Sequence, residues 1–313
     1  MSSPPPKNST CSIAERRRRP SGTTVLTLLV VAVLAGPQGV RSECTDYEKP
    51  RRVGRVPPAL PELSGFAASR RHAGILWAHN DSGNAARIFA IREDGTVQAT
   101  LRLAGIDTVD PEDIAVGPCR APASATSCIH LAEIGDNRSR RTRVRILELD
   151  EPATLRDATV TPRSFPFVYS DGPHNAETLL IAPGTGTSYV VTKLLGTLGG
   201  VYRLDDMGPG RVGRAVYLRT LEAPAGFGDL TTGGDVHPTR ARVLLRTYNR
   251  VWEYRGAAGS SIEAILGGTP VEVPGVRQPQ SEAITYVGDG RAYLIGTETA
   301  GAALYRIDCR NEP

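Results

Sequence analysis

Leu63–Gly95, LSGFAASRRHAGILWAHNDSGNAARIFAIREDG, contains three short apolar segments parted by turns. Asn and Asp hydrogen-bond their own backbone and Gly accepts positive φ, so HNDSG at 79–83 is a hairpin turn first and a candidate site second. Apolar runs of five to seven residues between such turns are strands, and this triplet is an antiparallel β unit.

The same unit recurs four more times. Its first strands are LSGFAAS from Leu63, PEDIAVG from Pro111, AETLLIA from Ala176, TTGGDVH from Thr231 and SEAITYV from Ser281. Second strands follow as ILWAHND, IHLAEIGDN, YVVTK, VLLRTYN and YLIGTET, and third strands as RIFAIREDG, RVRILELDE, GVYRLDDMG, VWEYRG and ALYRIDC. Four intervals add a fourth strand, TVQATLRL, RSFPFVYS, RAVYLRTL and PVEVPGV. One slot aligns as Ser64, Glu112, Glu177, Thr232 and Glu282, with steps of 48, 65, 55 and 50 residues.

Four strands per unit at this period predict an all-β fold, a β-propeller with five blades. A sixth blade is open only if the long interval between Glu112 and Glu177 hides a degenerate unit. The fifth unit runs out of chain at Cys309, so its fourth strand is expected from YEKPRRVGRV after Cys44, closing the ring. Two β-sandwiches are the alternative, and they predict neither a head-to-tail cysteine pair nor a repeated acidic slot. Helical periodicity is nearly absent outside the N-terminal segment.

That segment carries Arg16–Arg19 and an apolar stretch from Val25 to Ala35. Residues 1–42 therefore read as a secretory signal peptide, leaving 43–313 as a single propeller domain. The apolar stretch falls short of the roughly 20 residues of a membrane span, although retention as an anchor stays open. Residues 1–42 hold six of the 37 basic residues and one of the 33 acidic ones, so the remaining chain is near neutral, with 31 against 32. A nucleic-acid-binding domain should be basic as a whole, which excludes that class. Four cysteines survive processing, and an even count after a signal peptide points to disulfides in a secreted or cell-envelope protein. The economical pairing is Cys119 with Cys128 across a short loop, and Cys44 with Cys309 near the two ends.

In a propeller blade the start of the first strand and the end of the second share a face. This gathers Glu112, Asp113, Glu177 and Glu282 with His79, Asn80, Asp81, Glu133, Asp136, Asn137, Lys193, Arg246, Tyr248, Asn249 and Glu298 around one channel mouth. Crowded carboxylates share protons or bind a cation, and hard oxygen donors suit calcium. Glu112, Asp113, Glu177 and Glu282 are the expected metal ligands. Glu112, Glu177, Glu282, Lys193 and Arg246 are the expected catalytic set. The competing reading has each acid capping a turn, as Asp81 in NDSG and Asp136 in GDN would. Lys193 and Arg246 either hold an anionic group or pair with a neighbouring acid. His79 and His174 are candidate ligands or bases, or simply solvated turn histidines. A nucleophile elbow, a phosphate loop and a His-Glu-x-x-His pair are absent; GTGTS at Gly184 lacks the lysine and helix a phosphate loop needs.

At ELSGFAAS, HNDSG, PEDIAVG, IGDN, NAETLL and GGDVHP the chain resembles secreted bacterial propellers of the phytase-like or esterase-like kind, over about Glu62 to Arg306. The resemblance implies a propeller with an acidic, calcium-loaded mouth. The Asp-rich motifs and several phosphate-binding lysines of propeller phytases have no counterpart here. Two functions follow as expectations: a calcium-dependent hydrolase of a phosphoester, ester or glycoside, or a non-catalytic propeller that binds a cell-envelope ligand or protein partner. The chain is expected to act as a monomer on a small-molecule or envelope ligand.

Overall fold

The computed structural model describes residues 44–120, 123, 125–222 and 229–310. The expected signal peptide at 1–42 lies outside them. The described chain is all-β and propeller-like apart from one short helix, Ile262–Ile265.

Each of the five sequence units forms an antiparallel run of strands. Unit 1 comprises Leu63–Ala68, Ile75–Asn80, Arg87–Arg92 and Val97–Leu103; unit 2 comprises Pro111–Gly117, Cys128–Glu133, Val144–Asp150 and Arg163–Tyr169. Unit 3 is Ala176–Ile181, Ser188–Thr192, Thr197–Asp205 and Gly213–Glu222, and unit 4 is Thr231–Val236, Arg242–Thr247, Val251–Arg255 and Val271–Val273. Unit 5 has Ser281–Val287, Ala292–Thr297 and Ala303–Asp308, and its edge partner is Arg51–Arg55, antiparallel to Ala303–Asp308. Two features depart from a simple repeat. The outer strands of units 2 and 3 pair in parallel through Phe167–Tyr169 and Gly213–Ala215, and Ala158–Val160 leaves unit 2 to join the outer edge of unit 1.

Burial explains why first and fourth strands read differently in sequence. Pro111–Gly117 is buried at every position, as are Ala176–Ile181 and Ser281–Val287, because each first strand has sheet or core on both faces. Gly213–Glu222 alternates buried with exposed positions, as expected for an outer strand with one wet face. Each first strand packs beside that of the next unit, and Ser281–Val287 packs beside Leu63–Ala68.

Five apolar cores fill the spaces between neighbouring sheets. Trp77 and Leu101 of unit 1 meet Ile129 and Leu147 of unit 2, while Ile146 and Phe167 of unit 2 meet Leu179 and Tyr202 of unit 3. Val191 and Leu221 pack on Val243 and Trp252, Leu244 and Val251 on Ile284 and Tyr293, and Ala283 and Leu294 on Phe66 and Phe89.

Both expected disulfides form. Cys119 and Cys128 close a local loop, and Cys44 bonds Cys309 across 265 residues with Cα atoms 5.6 Å apart. The N-terminal segment is held further by buried Glu253. Its Oε1 accepts the hydroxyls of Tyr47 (2.6 Å) and Tyr286 (2.8 Å), and its Oε2 accepts Nε of Arg255 (2.6 Å). No helix among the described residues is long and apolar enough to cross a membrane.

Candidate functional site

Every first hairpin breaks register at the same place. The shift falls between Leu63 and Gly65, Pro111 and Asp113, Ala176 and Thr178, Thr231 and Gly233, and Ser281 and Ile284. The residue left out of pairing is the aligned slot itself in units 1 to 4, Ser64, Glu112, Glu177 and Thr232, and in unit 5 the slot Glu282 is left out together with Ala283. A β-bulge re-aims a side chain out of the ladder, which is how one sequence slot becomes one spatial ring.

Two more positions repeat around it. The carbonyls of Glu62, Asp110, Asn175, Leu230 and Gln280, each two residues before a slot, accept the N–H of Asp81, Gly135, Lys193, Tyr248 and Glu298, each just past a second strand. The mouth is thus built from three residues per unit.

In unit 2 the last of these is Gly135, which makes room for acids. A Cβ at 135 would lie 2.2 Å from Oε1 of Glu112 and 2.5 Å from Cγ of Asp110. Glu112 and Asp110 take that space, and a carboxylate oxygen of Asp81 lies with theirs so that all three are within 4.8 Å of one another. Glu177 stands beside them, its Oε1 accepting from Lys193 Nζ (3.1 Å) and Asn175 Nδ2 (3.0 Å). Lys193 also donates to the Tyr248 hydroxyl (2.9 Å).

The electrostatics follow from burial and like charge. Burial, then the charges of Glu177, Asp81 and Asp110, push the Glu112 carboxyl well above the usual range. Asp110 rises to about 6, through burial and then Asp81 and Glu177. Glu282 rises to about 9, from burial and then Glu298 and Glu177, against the opposing charge of Lys193. Burial also raises Asp81 and Glu298. Burial works against the ammonium of Lys193, yet Glu177 and Tyr248 outweigh it and raise its pKa. Burial and mutual repulsion thus favour the neutral carboxyl at Glu112 and Glu282.

Other residues expected at the mouth are turned to structural work. Asp113 accepts the N–H of Ile114 (2.8 Å) and, from the next unit, of Leu179 (2.8 Å), so it ties first strands together; burial raises its pKa well above the ordinary value. Arg246 is 1% exposed and donates to the Ala283 carbonyl (2.9 Å) beneath the mouth, where burial lowers its pKa to about 9. His79 is equally buried; its Nδ1 faces the Asn80 carbonyl (2.9 Å), its Nε2 has no partner, and burial lowers its pKa to about 4. Asn80 ties the loop before Leu63, accepting from Glu62 N and donating to the Ala59 carbonyl, both at 3.1 Å.

Asp136 accepts the Arg141 N–H (2.6 Å), and its own N–H donates to Asn175 Oδ1 (2.6 Å). Asn137 Oδ1 accepts from Asn175 Nδ2 (3.3 Å). Glu133 is held by Arg141 (2.5 Å) and Arg145 (2.7 Å) and accepts the Asp110 N–H (3.2 Å). Asn249 caps on Asp229 through its side-chain amide (3.1 Å), and Glu298 accepts from Gln280 (3.1 Å). His174 sits apart from these acids, with Asp171 (3.0 Å) and the Tyr202 hydroxyl (2.9 Å).

Asp110 is the site residue that reading the sequence missed. Its signal was present two residues before the slot, where Glu62, Asp110, Asn175 and Gln280 are all polar. A pocket of about 390 Å³ adjoins the mouth between units 4 and 5, lined by Tyr248, Asn249, Arg277, Gln278, Pro279 and Gln280.

No protein-family model matches the chain, and no curated protein matches it. Among solved structures, the PQQ-bound aldose sugar dehydrogenase of Streptomyces coelicolor is similar over 84% of this chain and 98% of its own, with 10% identity and a TM-score of 0.44. A gluconolactonase from Xanthomonas campestris is similar over 84% of this chain and 95% of its own, with 14% identity and a TM-score of 0.45. Neither is described as a phytase.

Proposed function

We propose that this is a secreted five-bladed β-propeller, its ring closed by Arg51–Arg55, that binds calcium at its mouth and hydrolyses a phosphoester, carboxylic ester or glycoside there. One observation carries the reading: carboxylate oxygens of three acids from two units lie within 4.8 Å of one another, two of them in space left by Gly135. Arginine does not neutralise Glu112 or Glu282 in any hydrogen bond or ion pair among the described residues, as it would if these acids were purely structural. The donors are all hard oxygens at a spacing that one calcium shell spans, with Asp81, Asp110 and Glu112 as ligands.

Bound calcium supplies a Lewis acid for a substrate oxygen. The remaining acids divide the proton work. Glu282, whose pKa of about 9 keeps it protonated at neutral pH, donates a proton to the leaving oxygen. Glu177, oriented by Lys193 and Asn175, accepts a proton from the attacking water. The pocket between Tyr248 and Gln280 seats the rest of the substrate, with Arg277 on its wall.

The test is a screen of the metal-stripped and calcium-loaded protein on phosphomonoester, ester and glycoside substrates, beside Glu112→Gln, Glu177→Gln and Glu282→Gln. Calcium-dependent turnover of one class, lost in the variants, is expected. Absence of turnover on all three classes, with calcium still bound, turns the reading to a binding propeller.

A further inference from the structure

The face opposite the mouth carries a cleft of about 1290 Å³ at the far ends of the first strands of units 2, 3 and 4. One wall is the turn Gly184-Thr185-Gly186-Thr187, which together with Ser188 is the GTGTS motif that lacks a lysine of its own. The neighbouring unit provides the missing cation. Arg120 of unit 2 donates through its guanidinium to Ser188 Oγ, the last residue of the motif. Its backbone N–H is fixed on Glu148 Oε2 (2.7 Å), and the adjacent Cys119 is locked to Cys128. Gly186 packs so closely on this segment that a Cβ there would lie 3.3 Å from Pro118.

The guanidinium is therefore held in place, yet its Nε–H is buried and has no acceptor. Arginine keeps its proton in such a setting, so the guanidinium on the wall of this cleft has an unmet donor. Burial lowers the pKa of this guanidinium, against the raising effect of Glu148, which adds to its demand for an anion. The cleft also holds Asp205, Asp206 and Glu263; Arg203 engages Asp205 through both carboxylate oxygens (2.7 and 2.9 Å) and approaches Glu263 (3.7 Å). The hydroxyls of Thr185 and Thr187 hydrogen-bond each other at 2.8 Å, which leaves one hydroxyl proton of the pair for a ligand.

We infer that this cleft is a second binding site, separate from the mouth, for a small molecule bearing a carboxylate or phosphate group that docks on Arg120 and the 184–188 turn. The volume exceeds what a lone ion needs, so the oxyanion is the head of a larger ligand.

Inorganic phosphate and succinate are the probes, each titrated against chloride at matched ionic strength while the Nε–Hε resonance of Arg120 and the melting temperature are followed. One of the two is expected to shift the resonance saturably and raise the melting temperature, and which one does so identifies the head group. Arg120→Gln is expected to weaken that binding by about ten- to a hundred-fold, the usual loss for a charged hydrogen bond. Arg120→Lys keeps the charge but lacks the Nε–H, and should weaken it similarly. Glu112→Gln should leave it unchanged. The inference is overturned if neither probe acts beyond chloride, or if folded Arg120→Gln and Arg120→Lys bind as the wild type does.

Discussion

Units 1 and 4 solve the mouth one way, and units 2, 3 and 5 another. In units 1 and 4 the bulged residue is Ser64 or Thr232, and its hydroxyl donates 2.7 Å to a carbonyl of the next unit, Glu112 or Ser281. The following residue is glycine, Gly65 or Gly233, and it pairs with the large polar residues His79 and Arg246, which lie buried below the mouth. In units 2, 3 and 5 the bulge instead carries a glutamate, whose carboxylate stays in the mouth. One backbone device therefore does two jobs. A hydroxyl in the bulge closes a seam between units, whereas a carboxylate there adds to a crowded acidic cluster in which Glu177 is paired with Lys193 and burial favours the neutral form of Glu112 and Glu282.

The largest effect should come from removing one acid of that cluster. Glu112→Gln keeps the shape, but should abolish the calcium-induced rise in melting temperature and lower calcium-dependent hydrolysis by about 10²- to 10⁴-fold. Gly135→Ala should do the same without touching an acid, because its Cβ would occupy the space of the Glu112 and Asp110 carboxylates. Normal calcium binding in Gly135→Ala would break the assignment of that space to the acids.

The second effect separates the two kinds of unit by pH. Asp110 at about 6, Glu282 at about 9 and the raised Glu112 keep protons in the folded state that the unfolded chain has already lost. Above the ordinary carboxyl range, unfolding releases these protons, so their contribution to stability is full in acid and is lost as pH rises toward 9. The melting temperature of metal-free protein is expected to fall over that range, and saturating calcium should flatten the decline. A metal-free protein that gains stability between pH 6 and 9 would contradict the crowded-acid description.

Turning a seam into a charge should give a third, smaller effect. Thr232→Glu brings a fourth glutamate into the ring and removes the hydrogen bond to Ser281, at a cost of about 2–3 kcal/mol by urea denaturation, less in acid than at neutral pH.

The fold was largely legible because its period was. First strands are almost wholly buried runs and an outer strand such as Gly213–Glu222 alternates, so the strands could be placed from pattern alone, and the cysteine pairing followed from their positions near the two ends of the unit array. The slot was legible as well, since Glu112, Glu177 and Glu282 recur in register. Asp113 accepts main-chain N–H groups from two first strands, and Arg246, on a second strand, donates to the Ala283 carbonyl; neither contact could be read from the repeat, because each partner lies in the next unit or depends on how the strands pair. Asp110 was missed because its importance comes from a side chain that is absent, Gly135, and a missing Cβ has meaning only once two strands are side by side.

The smallest effect tests the seams alone. Ser64→Ala and Thr232→Val each delete one buried hydroxyl and leave one main-chain carbonyl without that donor. The loss should be about 1 kcal/mol each, the usual net value of such a bond. In a chain of this length, about 1 kcal/mol corresponds to a fall of roughly 2–4 °C in melting temperature. The two losses should add, since the seams join different pairs of units and share no partner. Calcium affinity and its pH dependence should not move, because neither hydroxyl meets a carboxylate of the mouth. A Ser64→Ala protein with weakened calcium binding would mean that the carbonyl of Glu112, freed from its donor, repositions the carboxylate on the same residue. In that case the seam and the acidic cluster would form one coupled unit rather than two separate uses of the bulge.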